Sequence, residues 1–273
     1  MLHEIIKLKD HYNIETNAYL EVIIGYNSDM EKRTKSPGMV IVPGGAYEFV
    51  SLREADPIAF KFNLEGYVSF VLKYSTKTAY PKPMLELAYS IDYLRKNADK
   101  YYLDKDKIGV IGFSAGGHLI TSYGYLYNHN DFKQYHNLDS NNIKPNCLIA
   151  SYPVITMGEY THLDTRKNIT GMDPYLINLL SVENHITPNY PPTFLWTTQK
   201  DNCVNWINSE LYLKGLKENG VLHDYFFYPE LDHGLSVIIP LLYDKERLSD
   251  KYMIEVAEWF NKAIKFTNKV FNI

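Results

Sequence analysis

Cysteine is scarce: Cys147 and Cys203 are the only two among 273 residues, far apart in unrelated segments. That excludes a disulfide framework and every paired-cysteine metal or redox motif. Positive charge in excess is missing too, since 28 Lys and Arg face 32 Asp and Glu for a formal net charge of -4. The chain therefore has no global positive field with which to hold nucleic acid. No run approaches the roughly eighteen apolar residues that a membrane helix needs. The opening MLHEIIKLKDHYNIET carries charges throughout and lacks the continuous apolar region of a signal peptide. Internal repeats, low-complexity tracts and an obvious linker are absent as well. The expectation from these absences is a cytoplasmic chain with no nucleic-acid partner, no membrane partner and no cofactor or metal.

What is present is ordinary globular material. Hydrophobic residues make up 45% and charged residues 22%, enough at this length for a sizeable core and a single α/β domain over 1–273. The 24 tyrosines could line a sugar site, but their amphipathic rings fill cores and cover surfaces equally well, so abundance decides nothing. The runs Met39–Pro43, Tyr67–Tyr74, Ile108–Phe113, Cys147–Val154, Thr193–Thr198 and Tyr225–Tyr228 read as strands. Several are apolar on successive residues, as in strands covered on both faces of a mostly parallel sheet. Between them, Leu85, Ala88, Ile91 and Leu94 make one helical stripe that Pro83 can open, and Met253, Val256, Ala257, Phe260 and Ile264 make another. Strands alternating with helices predict an α/β fold, a mostly parallel central sheet with helices on both faces. Leu20–Tyr26 adds an antiparallel strand at the sheet edge, and the polar stretch Asn27–Pro37 is a turn between strands. From Thr156 to Pro192 the rhythm breaks, so an insert near 156–192 is expected, of the kind that often covers a site, the other reading being a surface loop with a short helix at Pro174–Leu180.

The strand IGVIGF runs directly into Gly112-Phe113-Ser114-Ala115-Gly116 and then a helix-like segment. This G-x-S-x-G pattern places a serine on a tight strand-to-helix turn, where side chains two residues to either side would collide. A serine hydroxyl is a weak nucleophile at neutral pH and needs a base. On such a turn the partners follow in the order Ser, Asp or Glu, His. His233, in the turn-like PELDHG after the last strong strand, is the best of nine histidines. His118 has the wrong chain order. His3, His11, His129, His136 and His162 precede any plausible acid or fall in polar loops. His185 and His223 read as surface residues. For the acid, Asp201 stands at the carboxyl end of the run TFLWTTQKD, where open α/β sheets place their functional loops. It would accept the imidazole Nδ1 proton and fix the tautomer. Asp232 adjoins His233 too closely to face it, and Asp224 sits at the opposite end of the sheet. Oxyanion donors are expected from Pro43-Gly44-Gly45-Ala46-Tyr47, as the N–H groups of Gly45 and Ala46 joined by that of Ala115. Tyr47 is expected to contact substrate.

Together PGGAYEFVSLRE, GYVSFVLKY, IGVIGFSAGGH, ASYPVIT, TPNYPPTFLWTTQKD and DHGLS resemble the esterase and acetylxylan-esterase-like branch of the α/β-hydrolase superfamily. The resemblance spans about Pro43 to Ser236 and implies an α/β-hydrolase fold with Ser114, Asp201 and His233 as a catalytic triad. It also implies a metal-independent carboxylesterase removing short acyl groups, acetyl foremost, from a small-molecule ester such as an acetylated oligosaccharide. Two features depart from the pattern. Ala46 stands where a third glycine is usual, and Asp201-Asn202-Cys203-Val204-Asn205 lacks the Val-Pro that often follows the acid. An amide or peptide hydrolase on the same three residues is the first alternative reading, and a non-catalytic binding protein on this scaffold is the second. No residue pattern decides between a monomer and a homo-oligomer.

Overall fold

The computed structural model describes residues 2–25 and 35–273. Residues 27–34 of the expected turn Asn27–Pro37, and Tyr26 of the early strand, lie outside the described residues. Eight strands form one sheet: β1 (Leu2–Lys7), β2 (Tyr19–Ile24), β3 (Ser36–Val42), β4 (Val68–Lys73), β5 (Leu103–Phe113), β6 (Cys147–Ser151), β7 (Thr193–Thr198) and β8 (His223–Tyr228). Their spatial order is β1-β2-β4-β3-β5-β6-β7-β8. β1 and β2 pair antiparallel with each other, and β2 pairs antiparallel with β4. Every other pairing is parallel. The strand at Leu20 is antiparallel, as its sequence suggests, but it is not the edge. β1 lies outside it and pairs along its whole length, from Leu2 opposite Ile24 to Lys7 opposite Tyr19.

The continuous apolar runs have the predicted physical consequence, because alternate residues of each inner strand feed two separate cores. Val40 and Val42 of β3 pack with α2 (Lys82–Lys96) and α3 (Ala115–Leu126) on one face. Met39 and Ile41 of the same strand pack on the other face with α1 (Asp56–Leu64) and the C-terminal helices. The C-terminal stripe read as one helix is two, Lys251–Ala257 and Trp259–Phe271, parted at Glu258. In the insert, α4 (Leu163–Thr170) and α5 (Pro174–Leu179) are short helices, each capped by a side chain that accepts a backbone N–H. Among the described residues, no helix is long and apolar enough to cross a membrane.

Strand order positions the site. The chain leaves β3 through α1 toward β4 on one side, and leaves β5 through α3 toward β6 on the other. β3 and β5 are neighbours, so their outgoing loops diverge onto opposite faces and open a crevice at their carboxyl ends. That is the switch point where open α/β sheets hold ligands.

Candidate active site

Ser114 stands at this crevice, as the residue between β5 and α3. Its backbone is at φ 53° and ψ −118°, a sparsely populated conformation that costs about 1–3 kcal/mol and persists only where the surroundings impose it. The surroundings here are explicit. The Ser114 N–H donates to Ser151 O at 3.0 Å, and its carbonyl accepts from His118 N at 3.0 Å and Val154 N at 3.1 Å. The elbow glycines have a steric cause, since a Cβ on Gly116 would stand 2.2 Å from Val42 O and 2.4 Å from Pro43 O. The helix can begin this close to β3 only without a side chain there.

Asp201 and His233 come to the same rim from the ends of β7 and β8. His233 Nε2 lies 2.9 Å from Ser114 Oγ, and its Nδ1 lies 2.6 Å from Asp201 Oδ2. The other carboxylate oxygen of Asp201 accepts from the N–H groups of Cys203 at 2.9 Å and Val204 at 2.7 Å. A carboxylate that takes two backbone donors on one oxygen holds its second oxygen in a fixed direction, toward the imidazole. The carboxylate side chain is fully buried, and that of His233 is 15% exposed. With Nδ1–H donating to Asp201, Nε2 carries the lone pair that faces the serine hydroxyl. The edge of the Tyr152 ring packs against the imidazole, with centroids 4.9 Å apart. Asp232 turns instead toward Arg247, at 3.6 Å.

The turn after β3 reaches the same place. Gly45 has φ +126°, and a Cβ there would stand 2.1 Å from Phe49 O, so only glycine fits. Among the described residues, the N–H groups of Gly45, Ala46 and Ala115 meet no protein acceptor. The turn is tied down by buried Glu54, whose Oε2 accepts from Gly44 N at 2.9 Å. Its Oε1 accepts from Tyr152 Oη–H at 2.8 Å, and Tyr152 Oη in turn accepts the N–H of Ser236 at 3.0 Å. One carboxylate thus joins the turn after β3 to the loop that carries His233.

Tyr47 does not contact the cleft. Ala46 and Tyr47 both have positive φ, 55° and 60°, which reverses the chain and buries the Tyr47 ring completely. Its hydroxyl meets Nδ1 of the equally buried His118 at 2.8 Å, and His118 Nε2 meets Leu180 O at 2.9 Å. A carbonyl only accepts, so Nε2 carries the proton, and Nδ1 accepts from Tyr47. Burial holds the His118 imidazole neutral by pushing its pKa down to about 4, against the smaller opposing effect of the Leu180 carbonyl.

Ser114 and His233 open into a cleft of about 720 Å3 walled by Gly45, Ala46 and Phe49. The same cleft is lined by His162, Asp164 and Cys203, none of which the sequence reading assigned to the site. His162 caps α4, its Nδ1 accepting from Thr165 N at 3.3 Å. Its pKa is lowered by burial first, with Asp164 opposing and His233 reinforcing. The Cys203 thiol is pushed up by burial, then by Asp201 and Asp164. His185, the insert's other histidine, stacks on Tyr125 away from this cleft, with centroids 4.8 Å apart.

Solved structures define the class. An acetyl ester-xyloside bifunctional hydrolase from Caldicellulosiruptor lactoaceticus is 31% identical, with a TM-score of 0.78 over 96% of this chain and 97% of its own. A carboxylesterase from Lactobacillus plantarum is 25% identical, with a TM-score of 0.84 over 98% of each chain. The fold is that of the α/β hydrolases. Residues 26–216 match the BD-FAE family, and the chain belongs to that family. Over 241 residues it is also 32% identical to endo-1,4-beta-xylanase B of Butyrivibrio fibrisolvens, a match covering 84% of this chain and 37% of that protein. The chain spans less than half the length of the curated relatives it matches.

Proposed function

We propose that the chain is a serine carboxylesterase that removes short acyl groups, acetyl foremost, from alcohols such as sugar hydroxyls. One observation carries the reading: the hydrogen-bonded relay from Ser114 Oγ to His233 at 2.9 Å and on to Asp201 at 2.6 Å. As Ser114 Oγ bonds to the ester carbonyl carbon, His233 Nε2 takes the hydroxyl proton and Asp201 stabilises the imidazolium that forms. The carbonyl oxygen becomes an oxyanion facing the N–H groups of Gly45, Ala46 and Ala115. The intermediate collapses by breaking the bond to the alcohol oxygen, which receives the proton from His233. Water, deprotonated by the same imidazole, then attacks the acyl-enzyme and releases the acid with Ser114 restored. The acetyl preference rests on the relatives. One bears xylanase in its name and another acetyl ester-xyloside hydrolase.

A fluorophosphonate should label the peptide containing Ser114, and Ser114→Ala should lower turnover of short-chain acetyl esters by about six orders of magnitude. Turnover unchanged in that variant would overturn the mechanism. Matched ester and amide substrates in the same assay should show the ester hydrolysed faster.

A further inference from the structure

The relay gives the cleft a direction. The alcohol oxygen must receive its proton from His233, so the alcohol half of an ester lies on the His233 side of Ser114. The acyl oxygen lies on the opposite side, toward Gly45 and Ala46. Two polar side chains of the insert line the cleft with His233, and both are unused by the chemistry above: His162 and Asp164. Both line the cleft into which Ser114 and His233 open, so they border the space that the alcohol half occupies.

The local structure fixes what each group offers. His162 Nδ1 is committed as acceptor to the Thr165 N–H at 3.3 Å, with Thr165 Oγ1 at 3.0 Å. The neutral ring therefore carries its proton on Nε2, and no protein acceptor meets that atom among the described residues. Burial lowers the pKa of the ring and keeps it in this form near neutrality. Asp164, two residues on, is exposed and makes no ion pair among the described residues, so its carboxylate is an acceptor. A donor and an acceptor lining one cleft match a ligand with several hydroxyls, each of which both donates and accepts. A plain alkyl alcohol can use neither.

Resting on the esterase reading above, we infer that His162 and Asp164 are specificity-determining residues that select a polyhydroxylated alcohol, a sugar, as the leaving group. The test compares kcat/KM for an acetylated methyl xyloside with that for ethyl acetate, substrates that share the acyl group and differ in the alcohol. His162→Asn is the informative variant, because asparagine is a strong helix N-cap and keeps a partner for Thr165 N–H while withdrawing the ring donor. Asp164→Ala withdraws the acceptor at an exposed position, where little packing is disturbed. His162→Asn should lower the ratio of sugar-ester to ethyl-ester kcat/KM roughly tenfold and the Asp164 variant, whose site is open to water, roughly threefold, the range for one net hydrogen bond exchanged against water. The loss should fall mainly on KM, as for an interaction made equally in ground and transition states. An unchanged ratio in both variants, with the wild type active on ethyl acetate, overturns the inference and leaves the esterase reading standing. A wild type inactive on every ester overturns the reading beneath it.

Discussion

Acid should weaken this fold through one imidazole. His118 is fully buried between the turn after β3 and the insert, and its pKa falls from the usual 6.5 to about 4. Because the folded value is depressed, the unfolded chain takes up a proton below pH 6.5 that the native chain refuses until about pH 4. Stability is therefore full above 6.5 and drains as the pH falls through this window. The difference of 2.5, from 6.5 less 4, corresponds to about 3 kcal/mol in all, of which about 2 kcal/mol is gone by pH 5. His118→Gln offers a comparison that cannot titrate, since an amide can donate to Leu180 O and accept from Tyr47 Oη–H as the neutral ring does. Urea unfolding at pH 7.5 and pH 5 should show the wild type losing about 2 kcal/mol more than the variant. Equal losses in the two proteins would refute the reasoning, because every other titrating group is common to both.

The remaining predictions concern the relay and the elbow. Asp201→Asn should fold normally, since its side-chain oxygen still accepts from Cys203 and Val204 N–H. Its amide would then donate to His233 Nδ1 and force the proton onto Nε2, and steady-state kinetics should show kcat down by about 10⁴. Gly116→Ala would bring a methyl to 2.2 Å from Val42 O, a backbone contact that no rotamer relieves. Thermal or urea unfolding should register a loss of about 3 kcal/mol. Gly171→Ala, where a Cβ meets nothing within 4 Å, should cost only the strain of its left-handed backbone, about 1 kcal/mol.

What could be read from residues alone divides along a physical line. The inner strands declared themselves because burial on both faces demands unbroken apolar runs, whereas β8, the far edge with only Tyr228 buried, was marked by its run of aromatic residues. β1 did not, because an edge strand needs little burial. In LHEIIK only Ile6 is buried, so no alternation or run marks it. The helix break at Glu258 leaves no mark either, since the apolar stripe continues across it. The convergence of Ser114, Asp201 and His233 was legible because each follows an inner or final strand, and the end of a strand is a place that hydrophobic pattern predicts. The turn after β3 was legible as a position but not as a conformation. Nothing in Gly-Gly-Ala-Tyr says that Ala46 and Tyr47 both take positive φ, and that detail turns Tyr47 inward onto His118 rather than outward onto substrate.

His162 failed for a different reason. Chain order set it aside, and chain order is a criterion for a base that must serve Ser114, not for a side chain that lines the cleft. Its place in the cleft depends on the path of the 156–192 segment, held by contacts that no periodicity encodes. Asn208 Oδ1 accepts from Ile155 N and Thr156 N, Ser181 Oγ accepts from Met157 N, and Asn168 donates to Ala46 O. These are side chain-to-backbone bonds between distant segments, each requiring the fold to exist before it can form. The last of them ties the insert directly to the turn that presents Ala46. An insert anchored in this way is hydrogen-bonded to the turn beside Ser114, the kind of support that the proposed choice between alcohols requires.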